Sequence, residues 1–119
     1  MEQKEITING HKYPVVFTMD TLMNFEEIVS KSFFESDFKT LKDRMALVIA
    51  AVITADSKTS LTIDECRGNG DLAAVQQIIQ AYTVVMELSA AFFKVPEVVA
   101  KAEAEEQQPA EEGDEKAKN

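Results

Sequence analysis

The sequence predicts an α+β domain, mainly α, in which an N-terminal β-hairpin packs on a small bundle of three main helices and one short helix. Three observations carry that prediction. Asn9-Gly10 separates two segments that alternate in polarity, the pattern of a tight hairpin. Apolar residues from Asp71 to Phe93 recur at three- and four-residue steps with no Gly or Pro among them, the pattern of one long helix. Met45 to Ile53 is apolar without a break, the mark of a helix buried on every side. The domain is assigned to residues 1–96, and residues 97–119 are read as an acidic, disordered tail.

Asn-Gly suits a two-residue type I′ turn, because both turn positions need positive φ. That register sets Ile8 opposite His11 and Ile6 opposite Tyr13. Ile6, Ile8, Tyr13, Val15 and Phe17 then share the face that covers the helices. Pro14 falls opposite Glu5 in a non-hydrogen-bonded pair, where its missing N–H would have pointed away from the partner strand. A two-stranded ribbon is marginal alone, so it must pack on helices or on another subunit's strands.

The first helix starts at Thr18 or Asp20 and runs to about Ser30, with Leu22, Phe25, Ile28 and Val29 on one face and Asn24, Glu27 and Lys31 opposite. Ser32 to Phe38 reads as a loop dense in aromatics. Thr40 and Asp43 form a capping box with the shorter acid, opening a second helix at Leu41 that ends near Asp56. Thr62 and Glu65 form a full capping box for a short helix that Gly68 stops. Asp71 then caps the last helix, about 35 Å long at 1.5 Å per residue, with Pro96 as its stop. Leu72, Val75, Ile78, Ile79, Tyr82, Val85, Met86 and Phe93 make its main stripe. Val84, Leu88 and Ala91 make a second strip on the far side, so this helix lies between two partners. Those strip residues either pack on the second helix or form a subunit or partner interface. Phe33, Phe34 and Phe38 pose the same choice: they complete the core under the hairpin, or leave one or two rings exposed as anchors.

Charge and composition exclude several function classes. There are 21 acids against 12 bases, a net charge of −9, which opposes binding to nucleic acid or to an anionic membrane. Eight of the acids and three lysines fall in residues 97–119, where no aromatic residue offsets the entropy of ordering. The single cysteine, Cys66, allows no internal disulfide and no thiolate zinc site, and fits a reducing cytoplasm. Met1 to Glu5 is polar and mixed in charge, unlike a signal peptide. The longest apolar run is nine residues, against about 18 or more for a membrane span.

No catalytic or metal-ligand pattern emerges, so no enzyme, cofactor or metal is expected. His11, the only histidine, sits beside a tight turn as a solvated strand residue. Cys66 has a basic neighbour in Arg67, which lowers a thiol pKa when it is close, but no histidine partner nearby in sequence. Glu26 and Glu27 point about 100° apart on a helix and make a solvated edge rather than an acid–base dyad. Gly68-Asn69-Gly70 lacks the length and the lysine of a phosphate loop.

One further pattern spans the chain. Ile6-Thr7-Ile8-Asn9-Gly10-His11-Lys12-Tyr13-Pro14-Val15-Val16-Phe17-Thr18-Met19 runs into Leu22-Met23-Asn24-Phe25-Glu26-Glu27-Ile28 and Lys31-Ser32-Phe33-Phe34. An Ala/Val/Ile-rich helix follows, then Ser60-Leu61-Thr62-Ile63-Asp64-Glu65, then a long helix with Met86-Glu87-Leu88 and Phe92-Phe93. From Ile6 to Phe93 this order resembles the tail assembly chaperones of long-tailed phages and prophages with non-contractile tails. The resemblance implies a small, non-enzymatic, cytoplasmic protein of the bacterial host cell that binds the tape-measure protein and keeps that helical ruler soluble during tail assembly. It also implies, in many members, a frameshifted longer form that recruits the tail tube protein. A partner surface is expected at Phe33, Phe34, Val84, Leu88, Ala91 and Phe92; that placement follows from the apolar pattern and from no family motif. Weak to moderate self-association is expected as well. The alternative from another class is a small adaptor or antitoxin-like protein that neutralises one folded partner.

Overall fold

The computed structural model describes residues 2–94. Strands β1 (Gln3–Ile8) and β2 (His11–Val16) form a two-stranded antiparallel sheet. Among the described residues four α-helices follow: α1 (Met19–Val29), α2 (Leu41–Ala55), α3 (Ile63–Arg67) and α4 (Leu72–Phe92). The architecture is the expected α+β one, mainly α, with the hairpin laid on the helices. The acidic segment 97–119, read as disordered, lies outside the described residues, as does Pro96, the expected stop of α4.

The hairpin has the register its turn dictates. Asn9 and Gly10 take φ of 53° and 82°, both positive as a type I′ turn requires. Ile8 pairs with His11, Ile6 with Tyr13 and Glu5 with Pro14. Ile6, Ile8, Val15 and Phe17 are buried and Tyr13 is half-buried, so one face covers the helices. The turn itself is docked: Asn9 Nδ2 donates to the Glu65 carbonyl at 2.6 Å, and the Asn9 N–H donates to Gln77 Oε1 at 2.8 Å. Gly68 makes room for this. A Cβ at Gly68 would stand 3.0 Å from Asn9 Oδ1, and its φ of 53° with ψ of −126° also suits only glycine.

Helix α2 is the hub, packing against α1, α3, α4 and β2. Met45 through Val52 are all buried, as an apolar run without a polar face demands. Burying each Leu, Val or Ile of that run contributes about 2 kcal/mol. Helix α1 lies alongside it with Phe25 and Thr21 fully buried. Thr18 caps α1 by accepting from Asp20 N, while Thr21 Oγ1 accepts from Thr18 N and donates to the Val16 carbonyl, tying helix start to strand end. Asn24 does not face open solvent as its phase suggested, whereas Lys31 is exposed as expected. Asn24 Nδ2 donates to Thr54 Oγ1 on α2, and Lys31 reaches Asp43. A polar residue facing a neighbouring helix is invisible to a hydrophobic pattern.

Among the described residues α4 packs mainly on α2 and on the hairpin's β1. The buried line runs Ile78, Ala81, Val85, Leu88 and Ser89. It falls between the two stripes read from sequence, taking Leu88 from the second and leaving Leu72 and Ile79 of the first exposed. Ala81, buried within this line, also lines the groove beside β1. Among the described residues, no helix is long and apolar enough to cross a membrane.

Candidate functional site

All seven phenylalanines of the chain belong to one connected set of ring contacts. Phe17, just past β2, lies 6.2 Å from Phe33, 5.4 Å from Phe92 and 6.0 Å from Phe93 between ring centroids. Phe33 also meets Phe25 edge-on at 5.7 Å, Phe38 at 5.3 Å and Phe93 in a stacked arrangement at 6.2 Å. Each such pair contributes about 0.5–1.5 kcal/mol beyond its buried area. The inner rings are closed off, with Phe25 fully buried and Phe33 9% exposed. The outer rings are open: Phe34 is 74%, Phe92 41% and Phe93 42% exposed. A single aromatic cluster therefore runs from the core to the surface at the C-terminal end of α4. A cavity of about 350 Å³ adjoins it, lined by Phe17, Leu88, Ala91 and Phe92 together with Glu2 and Thr18.

A polar knot holds the segment that carries three of these rings. The segment read as a loop contains a short 3₁₀ turn, Phe33–Glu35, closed by a reciprocal cap between Ser32 and Glu35. Glu26 Oε2 on α1 accepts from the Phe33 N–H at 2.9 Å, so Glu26 anchors the aromatic segment to α1. Asp43 is 7% exposed and accepts from Lys31 Nζ at 2.8 Å and Ser36 Oγ at 2.7 Å. Ser36 Oγ in turn accepts from the Phe38 N–H, and Arg44 Nε donates to the Phe38 carbonyl at 2.6 Å. The Lys31 ammonium first, then the Ser36 hydroxyl, hold the Asp43 carboxyl below the usual carboxylate range against the opposing effect of burial. The Thr40–Asp43 spacing predicts a capping box with Asp43 as its second half. Thr40 does cap α2 by accepting from Asp43 N, but the Asp43 carboxylate turns to Lys31 and Ser36 instead. Arg44 also stacks over the Tyr82 ring at 5.1 Å, linking the knot to α4.

The expected partner residues separate. Phe34, Ala91 and Phe92 lie at the surface beside one another's neighbours in the cluster. Phe33 and Leu88 are buried beneath them, with Leu88 only 3% exposed, and Val84 is half-buried on the flank of α4 that faces β1. Phe93, which its spacing places in the main apolar stripe of α4, is 42% exposed and completes the surface. The Asp43 knot and the Glu26 anchor were missed; each joins residues on different elements, and no local pattern announces it.

The remaining reactive groups are placed quietly. Cys66 is fully buried on α3, and burial, followed by the Glu65 charge, pushes its thiol up to about 11. Arg67 does not offset this; its guanidinium reaches Asp64 at 3.9 Å. His11 is exposed on the hairpin. Among the described residues no cluster of His, Cys, Asp and Glu has the arrangement to hold a metal ion. No family model, curated protein or solved structure matches this chain.

Proposed function

We propose that this protein is a non-enzymatic tail assembly chaperone, acting in the bacterial cytoplasm by stoichiometric binding of the tape-measure protein. The observation that carries the reading is the open end of the phenylalanine cluster. Exposed aromatic rings stacked on a rigid core lose little side-chain entropy on binding, and they are the side chains most often found as binding anchors. The adjoining 350 Å³ cavity has room for an apolar side chain from a helical client. A surface of this kind recognises an apolar helix face rather than one sequence, which suits a ruler with many such segments. The net charge of −9 supports solubility of the resulting complex. The order of elements from Ile6 to Phe93, similar to that of tail assembly chaperones, supplies the identity of the client.

Co-expression with the helical tape-measure protein tests this. Soluble ruler that co-purifies with several copies of this chain supports the proposal. Insoluble ruler, with this chain eluting alone, overturns it. A single tight complex with one folded protein at fixed stoichiometry would establish the adaptor reading in its place.

A further inference from the structure

The sheet has two edges, and they differ. In a two-residue hairpin with this register, Ile8, Ile6 and Lys4 bond across to β2, and Thr7, Glu5 and Gln3 turn their N–H and C=O groups outward. Among the described residues these outward groups have no partner. The outer edge of β2 is blunted: Pro14 has no N–H to offer, and the Val16 carbonyl already accepts from Thr21 Oγ1. Beside the open β1 edge is a groove of about 180 Å³, lined by Glu5, Thr7, Gln77, Gln80, Ala81 and Val84. Two ties bound it, Asn9 N–H to Gln77 Oε1 at the turn and Lys4 Nζ to Glu87 Oε1 at 3.5 Å. From Lys4 to Asn9 a strand spans about 17 Å, and from Gln77 to Glu87 a helix spans about 15 Å. Strand and helix thus run side by side along the whole groove.

We propose that this groove is a docking site for an extended, basic segment of a partner protein, which adds to β1 as a third strand above α4. Strand addition supplies the backbone bonds that Gln3, Glu5 and Thr7 lack. Side chains on the inner face of the added strand lie over Ala81 and Val84, where small or branched aliphatic groups fit. On the outer face a Lys or Arg pairs with Glu5, an exposed carboxylate with no ion-pair partner among the described residues. A second copy of this chain fits less well. Pairing β1 with β1 about its centre sets Glu5 against Glu5, and it brings a second α4 towards the place the first already fills. The chain's own residues 97–119, with eight acids against three lysines, meet Glu5 with like charge. This surface is separate from the phenylalanine cluster, and the proposal stands or falls independently of the client named above.

The test uses the full chain and two labelled hexapeptides, one alternating valine with lysine and one alternating valine with glutamate. Fluorescence anisotropy reads binding, and amide hydrogen exchange by NMR reads its place. The lysine peptide binds and slows exchange at the Glu5 and Thr7 amides by about tenfold or more, the loss of solvent access that strand pairing gives. Glu5→Arg, at an exposed side chain, transfers the preference to the glutamate peptide. Thr7→Pro weakens binding by about tenfold, since one outward N–H is lost while the ladder to β2 is kept. Lys12→Pro, on the other edge, and Phe34→Ser leave binding unchanged. Absence of binding by the lysine peptide overturns the proposal, as does binding without protection of Glu5 and Thr7. So does a preference that Glu5→Arg leaves in place.

Discussion

Asp43→Asn removes one charge from the knot that holds the aromatic segment, with almost no change in shape. In the native protein Asp43 accepts two short hydrogen bonds, from Lys31 at 2.8 Å and from Ser36 at 2.7 Å. A bond to a charged group contributes about 1.5–3 kcal/mol and a neutral one about 0.5–1.5 kcal/mol. The Lys31 side chain is 40% exposed, so water screens its half of the pair and the larger figure is discounted. The asparagine keeps one acceptor, which leaves a net loss of about 1–2 kcal/mol at neutral pH. For a domain of this size that lowers Tm by roughly 5–15 °C. The pH dependence gives the reasoning a second handle. Because the folded state holds Asp43 below its ordinary pKa, the stabilisation is present above about pH 4 and is lost as pH falls through the folded value. Thermal melts followed by circular dichroism, from pH 7 down to pH 2, should show the two proteins converging in acid. A Tm difference below about 2 °C at pH 7, or a gap that stays constant down to pH 2, refutes the assignment.

Other consequences follow from single side chains. Phe34→Ser leaves thermal stability within about 0.5 kcal/mol of wild type because the ring is exposed, whereas Phe33→Ser costs about 3 kcal/mol or more from the centre of the cluster; urea melts separate the two. Asn9→Ala removes the side-chain bond to Glu65 but keeps the backbone bond to Gln77, and lowers stability by about 1–2 kcal/mol, with faster hydrogen exchange confined to the turn and α3. Gly68→Ala is destabilising by about 1–3 kcal/mol, from its positive φ and the approach of Asn9, and a urea melt reads it. Cys66 stays unreactive towards a thiol reagent at pH 8 in the folded protein and reacts at once in denaturant.

The parts of the fold that short-range chemistry controls were legible. Asn9-Gly10 set the turn type and hence the whole register of the sheet, Thr62 and Asp71 marked two helix starts, and of the two starts open for α1, Thr18 and Asp20, the cap is Thr18. The buried face of α4 was harder, because the helix is apolar on nearly every side and two stripes satisfy the same period. Which one closes depends on where the hairpin lies, so Leu88 went inside and Leu72 and Ile79 stayed out. Asp43 shows the same limit. Its local role at a helix start was plausible, and the ion pair that claims its carboxylate comes from Lys31 on another element. The candidate site was half readable: the sequence shows one group of rings at Phe33, Phe34 and Phe38 and another at Phe92 and Phe93. That Phe17 and Phe33 join them into one surface is a consequence of tertiary packing.

The central claim is that the exposed rings bind the client, and the double variant Phe34→Ser with Phe92→Ser tests it most directly. Both rings reach the surface, so the folded protein should persist with only a small loss of Tm. Co-expressed with the tape-measure protein, the double variant is predicted to lose most of the yield of soluble ruler that the wild type recovers. Full recovery of soluble ruler by a folded double variant would contradict the account.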